Sequence, residues 1–147
     1  MTRTQRLKPV QDVVENAEKR LAQSLAVHER RVLEAENKLQ ELTRYRGEYE
    51  SQYTQRVGCG IGVLELRDYQ AFLARLSDAM RQQQSVVQRV RAERDAERMR
   101  WQDAARRVKA IDHVVTTWQV EERKLAERRE QSDTDERGQR KKPHVFE

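Results

Sequence analysis

The chain has 147 residues, of which 30 are Lys or Arg and 25 are Asp or Glu, with only five Gly and two Pro. A charged share of 37% against 36% hydrophobic residues leaves too little for a thick globular core, and so few turn residues exclude most sheet folds and loop-rich enzymes. The apolar residues are nevertheless spaced too regularly for a disordered chain, so long helices burying a narrow stripe within one domain are expected.

The first such stripe reads Val10, Val14, Ala17, Leu21, Leu25, His28, Val32, Ala35, Leu39, Leu42, Arg46, Tyr49 and Tyr53, in steps of three and four. Two consecutive steps of four, at Ala17, Leu21 and Leu25, make a stutter that locally unwinds a supercoil. Pro9 suits a first turn, where its missing donor costs nothing, so a helix over about residues 7–57 is predicted. Gly58-Cys59-Gly60-Ile61-Gly62 then supplies the backbone freedom to reverse direction, and a turn over 58–62 joins antiparallel neighbours.

The second stripe runs without a phase shift through Leu66, Tyr69, Leu73, Leu76, Met80, Gln83, Val87, Val90, Arg94, Glu97, Trp101, Ala104, Val108, Ile111, Val115, Trp118, Glu122 and Leu125. It predicts a helix over about residues 63–130, with Glu65 and Asp68 near its positive end. Residues 132–147 lose the period, gain Gly138 and Pro143, and read as a disordered basic tail. The expected fold is all-α: an antiparallel two-helix coiled coil over residues 1–131, followed by that tail.

Centring the turn near Gly60 places Val10 opposite Lys109, where the first helix runs out. Val114, Val115, Trp118 and Leu125 would then continue the stripe with nothing from the first helix to cover them. An exposed apolar stripe of this kind marks a partner site, unless the chain dimerises there or its N-terminal arm folds back. The same pairing sets Arg94 and Glu97 opposite Leu25 and Ala22, beside the stutter. A weak waist is expected there, with both charged heads snorkelling outward.

Chemistry is missing from the pattern. His28, His113 and His144 are far apart and form no metal-ligand pair, so neither metal nor cofactor is expected. His28 reads as a partly solvated seam residue. Cys59 has no neighbouring His to activate it, excludes a disulfide framework by being alone, and suits a reducing compartment. Two helices also offer no concave pocket, so the chain is not expected to be an enzyme. Arg89, Arg91, Arg94, Arg98, Arg100, Arg106, Arg107 and Lys109 alternate with Glu93, Asp95, Glu97 and Asp103, which neutralise the field that nucleic acid needs. No apolar run is long enough for a signal peptide or a membrane span.

Four aromatics gather near the turn: Tyr45, Tyr49, Tyr69 and Phe72. Tyr49 and Tyr69 hold seam positions and serve as core filler, whereas Tyr45 and Phe72 lie one step off the stripe. The pairing puts Phe72 opposite Gly47, whose place inside a helix costs about 1 kcal/mol relative to Ala. Gly47 either makes room for the Phe72 ring or lets a partner approach closely. With Leu42, Leu76 and Ala79 these residues would make an aromatic-rich patch wider than two helices need.

Tyr45-Arg46-Gly47-Glu48-Tyr49, the glycine turn, and Asp68-Tyr69-Gln70-Ala71-Phe72-Leu73 with Leu76 and Ala79 resemble the flagellar export protein FliJ family. Length, Trp101 and the basic tail with its proline are also similar; Lys38 and Asp68 depart from the family in the polar rim. The resemblance implies a cytoplasmic, non-enzymatic coiled coil of the flagellar type III export apparatus, similar to the central stalk of rotary ATP synthases. It implies peripheral association with the inner membrane through partners only. The open end, here Val114, Val115, Trp118 and Leu125, would face the hexameric export ATPase. Leu42, Tyr45, Tyr49, Phe72, Leu76 and Ala79 would bind the cytoplasmic part of the membrane export gate, and the protein would escort export chaperones. A generic coiled-coil scaffold or dimerisation module is the alternative.

Overall fold

The computed structural model describes residues 1–141. Two antiparallel helices hold nearly all of them, α1 (Arg3–Val57) and α2 (Val63–Lys141), with no strand among the described residues. Between them Cys59 N and Gly60 N donate to the Arg56 and Val57 carbonyls, and Gly60 adopts a φ of 90°. A side chain at that angle would be strained, so the reversal depends on this glycine. Contacts divide the chain into two compact units, Met1–Lys19 with the chain from Asp103 onward, and Arg20–Gln102.

In the Arg20–Gln102 unit, Val32, Ala35, Val87 and Val90 form the core, with Leu39 and Val86 packed against it. The seam positions predicted for both helices in this unit are all sheltered from water. Gln83 is buried among them and donates from Nε2 to the Ala35 carbonyl at 2.9 Å, which removes the penalty of an unpaired amide. Arg91 and Arg98 flank the seam and bond Glu36 and Glu29 across it at 2.7 and 3.3 Å. These pairs are largely solvated, so they guide alignment more than they stabilise.

Glu97 departs from expectation. It does not snorkel outward but is buried at 7% exposure, and Arg100, one turn further along the same helix, bonds its Oε2 at 3.4 Å. Compensation by its own helix lets the carboxylate stay in the seam without a partner from α1. Arg94 is half-buried, its guanidinium 3.1 Å from Asp95.

The unit containing the N-terminus corrects the predicted helix start and the predicted overhang. α1 begins at Arg3, because Thr2 and Gln5 cap each other: Gln5 N donates to Thr2 Oγ1 at 3.2 Å and Thr2 N to Gln5 Oε1 at 3.1 Å. Pro9 therefore lies inside the helix rather than in its first turn. The added turns reach along α2: Gln11 bonds Asp112, Thr4 bonds Glu122 through both N and Oγ1, and Arg3 pairs with Glu121 at 2.7 Å. Val115 is consequently buried, and Val114 and Trp118 are half-buried under their own chain. Only Leu125 among the four residues assigned to the open end is exposed.

These N-terminal turns are held modestly. The Arg3–Glu121 pair is about half solvated and contributes at most about 1 kcal/mol. The Arg3 guanidinium lies 4.7 Å above the Trp118 ring, a further ~0.5–1 kcal/mol. Pro9 opposes them, since it cannot donate to the Gln5 carbonyl and costs about 3 kcal/mol in a helix interior.

α2 also outlasts its predicted end near residue 130. The segment predicted as a tail is helical through Lys141, including Gly138, and every residue from Arg123 to Arg140 is exposed. Glu, Arg and Gln are good helix formers, so a helix already nucleated propagates through this stretch at little cost. The disorder expected for residues 142–147 lies outside the described residues.

The seam makes a direct prediction for stability. Val32→Ala should lower unfolding free energy by about 2 kcal/mol, because Val32 is 4% exposed. The neighbouring Leu33→Ala, at 57% exposed, should change it by less than about 0.5 kcal/mol. Urea unfolding followed by helical circular dichroism measures both.

Candidate functional site

Near the turn, the aromatic side chains of α1 and α2 interleave into one column. The Tyr69 ring stacks on both Tyr53 and Tyr49, its centroid 3.7 Å from the first and 5.1 Å from the second, at interplanar angles of 9° and 8°. Tyr49 then meets Phe72 at 4.4 Å with a 44° tilt, and Phe72 meets the edge of Tyr45 at 5.9 Å. Offset stacks and edge-on contacts of this kind add about 0.5–1.5 kcal/mol per pair beyond burial. Helical spacing explains the order: Tyr45, Tyr49 and Tyr53 recur every four residues on α1, so one face presents rings at intervals of one turn.

The phenol of Tyr69 is held above its ordinary pKa, first by removal from water, then by the Glu50 carboxylate and by Tyr53 and Tyr49; Arg46 acts in the opposite sense. It stays neutral across the physiological range. Arg46 itself is committed to Glu50 at 3.1 Å.

The column brings together Tyr45, Tyr49 and Phe72 of the predicted patch, in the same unit as Leu42, Leu76 and Ala79. Their accessibility differs from expectation. Leu76 is buried at 7% exposure, Leu42, Tyr49, Phe72 and Ala79 are half-buried, and Tyr45 alone is exposed, at 50%. Phe72 lies against two tyrosines of α1 and so belongs to the packing as much as to the surface. Tyr53 was missed as a member of the cluster, although its four-residue spacing from Tyr49 was the signal that could have found it.

Gly47 does not make room for Phe72. A β-carbon built there would meet nothing within 4 Å, so the helix interior at this point is bare and open.

An open hollow of about 270 Å3 lies beside the column, lined by Tyr49, Tyr53, Tyr69, Ile61, Gln52, Arg56, Glu65 and Asp68. The hollow is open to solvent and is not a concavity that excludes water. Four of these eight side chains, Gln52, Arg56, Glu65 and Asp68, are exposed, so the two carboxylates on its walls are solvated.

The other candidate chemistry resolves into structural roles. The Nδ1 of His28 is 2.8 Å from the Ser24 carbonyl in its own helix, a satisfied seam position. Cys59 is free and exposed. No group of three potential metal ligands occurs among the described residues. Arg89, Arg91, Arg94, Arg98, Arg100 and Arg106 are each within ion-pair distance of a carboxylate, so the basic band carries little uncompensated field.

The family model described as Flagellar FliJ protein matches residues 3–142, nearly the whole chain. The chain belongs to the FliJ family. Membership makes this chain a component of the flagellar export apparatus. No curated protein and no solved structure matches it. No helix among the described residues is long and apolar enough to cross a membrane.

Three substitutions separate packing from surface in this FliJ chain. Gly47→Ala should raise unfolding free energy by about 1 kcal/mol, since the new methyl meets open space and improves helix propensity. Phe72→Ala should lower it by roughly 2 kcal/mol, because the ring is wedged between Tyr45 and Tyr49. Tyr45→Ala should cost under about 1 kcal/mol, having one edge contact to lose. Thermal unfolding of the three variants measures each value.

Proposed function

We propose that this FliJ chain is a non-enzymatic linker of flagellar type III export that joins the hexameric export ATPase to the cytoplasmic part of the membrane export gate. It acts in the cytoplasm at the flagellar base, held near the inner membrane by its partners. The observation that carries the reading is the half-exposed Tyr45 at the end of the ring column, in the segment most similar to the FliJ family. An aromatic that is fixed on one side and solvated on the other is a rigid anchor for a partner. Phe72 and Tyr49 continue the ring column from it, and Leu42, Leu76 and Ala79 complete the proposed patch in the same unit.

The ATPase-facing end is assigned to the other unit, where Val114, Val115, Trp118 and Leu125 lie on α2. Export chaperones are a further class of passenger, carried over from the family without an assigned surface. Self-association as a plain dimerisation module has less to explain, because Val115 and Trp118 find cover within their own chain.

Purified chain added to the export ATPase should stimulate ATP hydrolysis. Tyr45→Ala should weaken capture of the gate's cytoplasmic domain by tenfold or more, the weight of an aromatic hot spot, while keeping that stimulation. Trp118→Ala should do the reverse. Equal loss of both functions in either variant would overturn the assignment of two separate docking surfaces.

A further inference from the structure

We propose that residues 3–8 are a detachable cover over Trp118, hinged at Pro9, so that the apolar surface of Trp118 is fully offered to a partner only when this segment lifts. The composition of the cover is the first argument. Arg3-Thr4-Gln5-Arg6-Leu7-Lys8 contains one apolar side chain, Leu7, and it is only half-buried. Lifting the segment therefore exposes almost no apolar surface of its own.

Its attachments are the second argument. They are polar and lie at the solvent edge: Arg3 to Glu121 and over the Trp118 ring, and Thr4 to Glu122. Contacts of this kind exchange for water with little loss, unlike the packing of Val115 beneath.

Pro9 supplies the hinge. Its nitrogen has no hydrogen to donate to the Gln5 carbonyl, and its ring crowds that carbonyl, so the helix is weakest where the cover meets the rest of α1. On the far side of the hinge Gln11 still bonds Asp112, which anchors the remainder of the helix when the cover is lifted. The penalty of the proline works against the polar attachments and the shelter of Trp118, so the closed state is favoured by less than it would be in a proline-free helix. A partner that needs Trp118 then binds with an apparent affinity reduced by the closed fraction. This opening is a property of the isolated chain and does not depend on which partner is assigned to the surface.

The test uses the full-length chain alone. Amides of Val10, Gln11 and Asp12 bond to carbonyls inside the cover, so their hydrogen exchange by NMR reports its lifting. Pro9→Ala should slow that exchange by tenfold or more. Glu122→Ala, which frees Thr4, should quicken it. In a Trp101→Phe background, acrylamide quenching of Trp118 should follow the same order, lowest with Pro9→Ala and highest with Glu122→Ala. Exchange unchanged by Pro9→Ala would overturn the proposal. So would exchange that slows while Trp118 quenching stays constant, since that is ordinary fraying of a helix end. If Trp101→Phe itself disturbs the fold, quenching of both tryptophans in the native background is read beside exchange, and it must follow the same order.

Discussion

Shelter from water in this chain is confined to one stripe on each helix. With charged and hydrophobic residues in nearly equal number, neither helix has a second apolar face to offer, and no side chain among the described residues becomes fully buried. Stability is accordingly spread over many half-buried contacts instead of a dense centre. That distribution explains why polar residues are admitted to the seam when they bring their own compensation. Gln83 reaches the Ala35 carbonyl, Glu97 is met by Arg100, and His28 turns back to Ser24. Such pairings sit within one bond of the backbone or one turn of the same helix, so a thin seam tolerates them.

Near the turn the seam changes material from aliphatic to aromatic. Tyr53, Tyr69, Tyr49, Phe72 and Tyr45 alternate between the two helices, so each ring is gripped by rings from the opposite strand of the hairpin. Rigid rings with few rotatable bonds lose little entropy when fixed, and a fixed ring at the end of the series meets a partner already ordered. Packing and recognition therefore share side chains here. The patch that a partner sees is narrower than the set of aromatic residues that builds it.

Much of the hairpin was legible because a three-four spacing has one physical meaning in a chain this polar. Nearly every position on both predicted stripes is sheltered; Val10 and Leu125 are the exceptions. The glycine-rich reversal was legible for the same reason, since three glycines in five residues have no use inside a helix. The boundaries were harder. Pro9 pointed to a helix start, but Thr2 and Gln5 form a capping box seven residues earlier, and the cap together with the contacts to α2 offsets the proline. That error propagated: with α1 too short, Trp118 was expected in water, whereas Arg3 lies over its ring. The end of α2 was missed because loss of an apolar period says nothing about a helix that needs no partner to keep its backbone bonds. At the aromatic site the residues were named correctly but not their depth, because stepping one position off a stripe does not tell an exposed Tyr45 from a wedged Phe72.

The buried amide of Gln83 has a consequence for motion. A hairpin zipped only by leucines and valines could slip by a heptad and find equivalent grease at each stop. Here a slide of one heptad would pull Gln83 away from the Ala35 carbonyl and set it against the bulkier His28 or Leu42. The amide acts as a detent, so a push delivered along one helix is passed to the other instead of being absorbed by slippage between them.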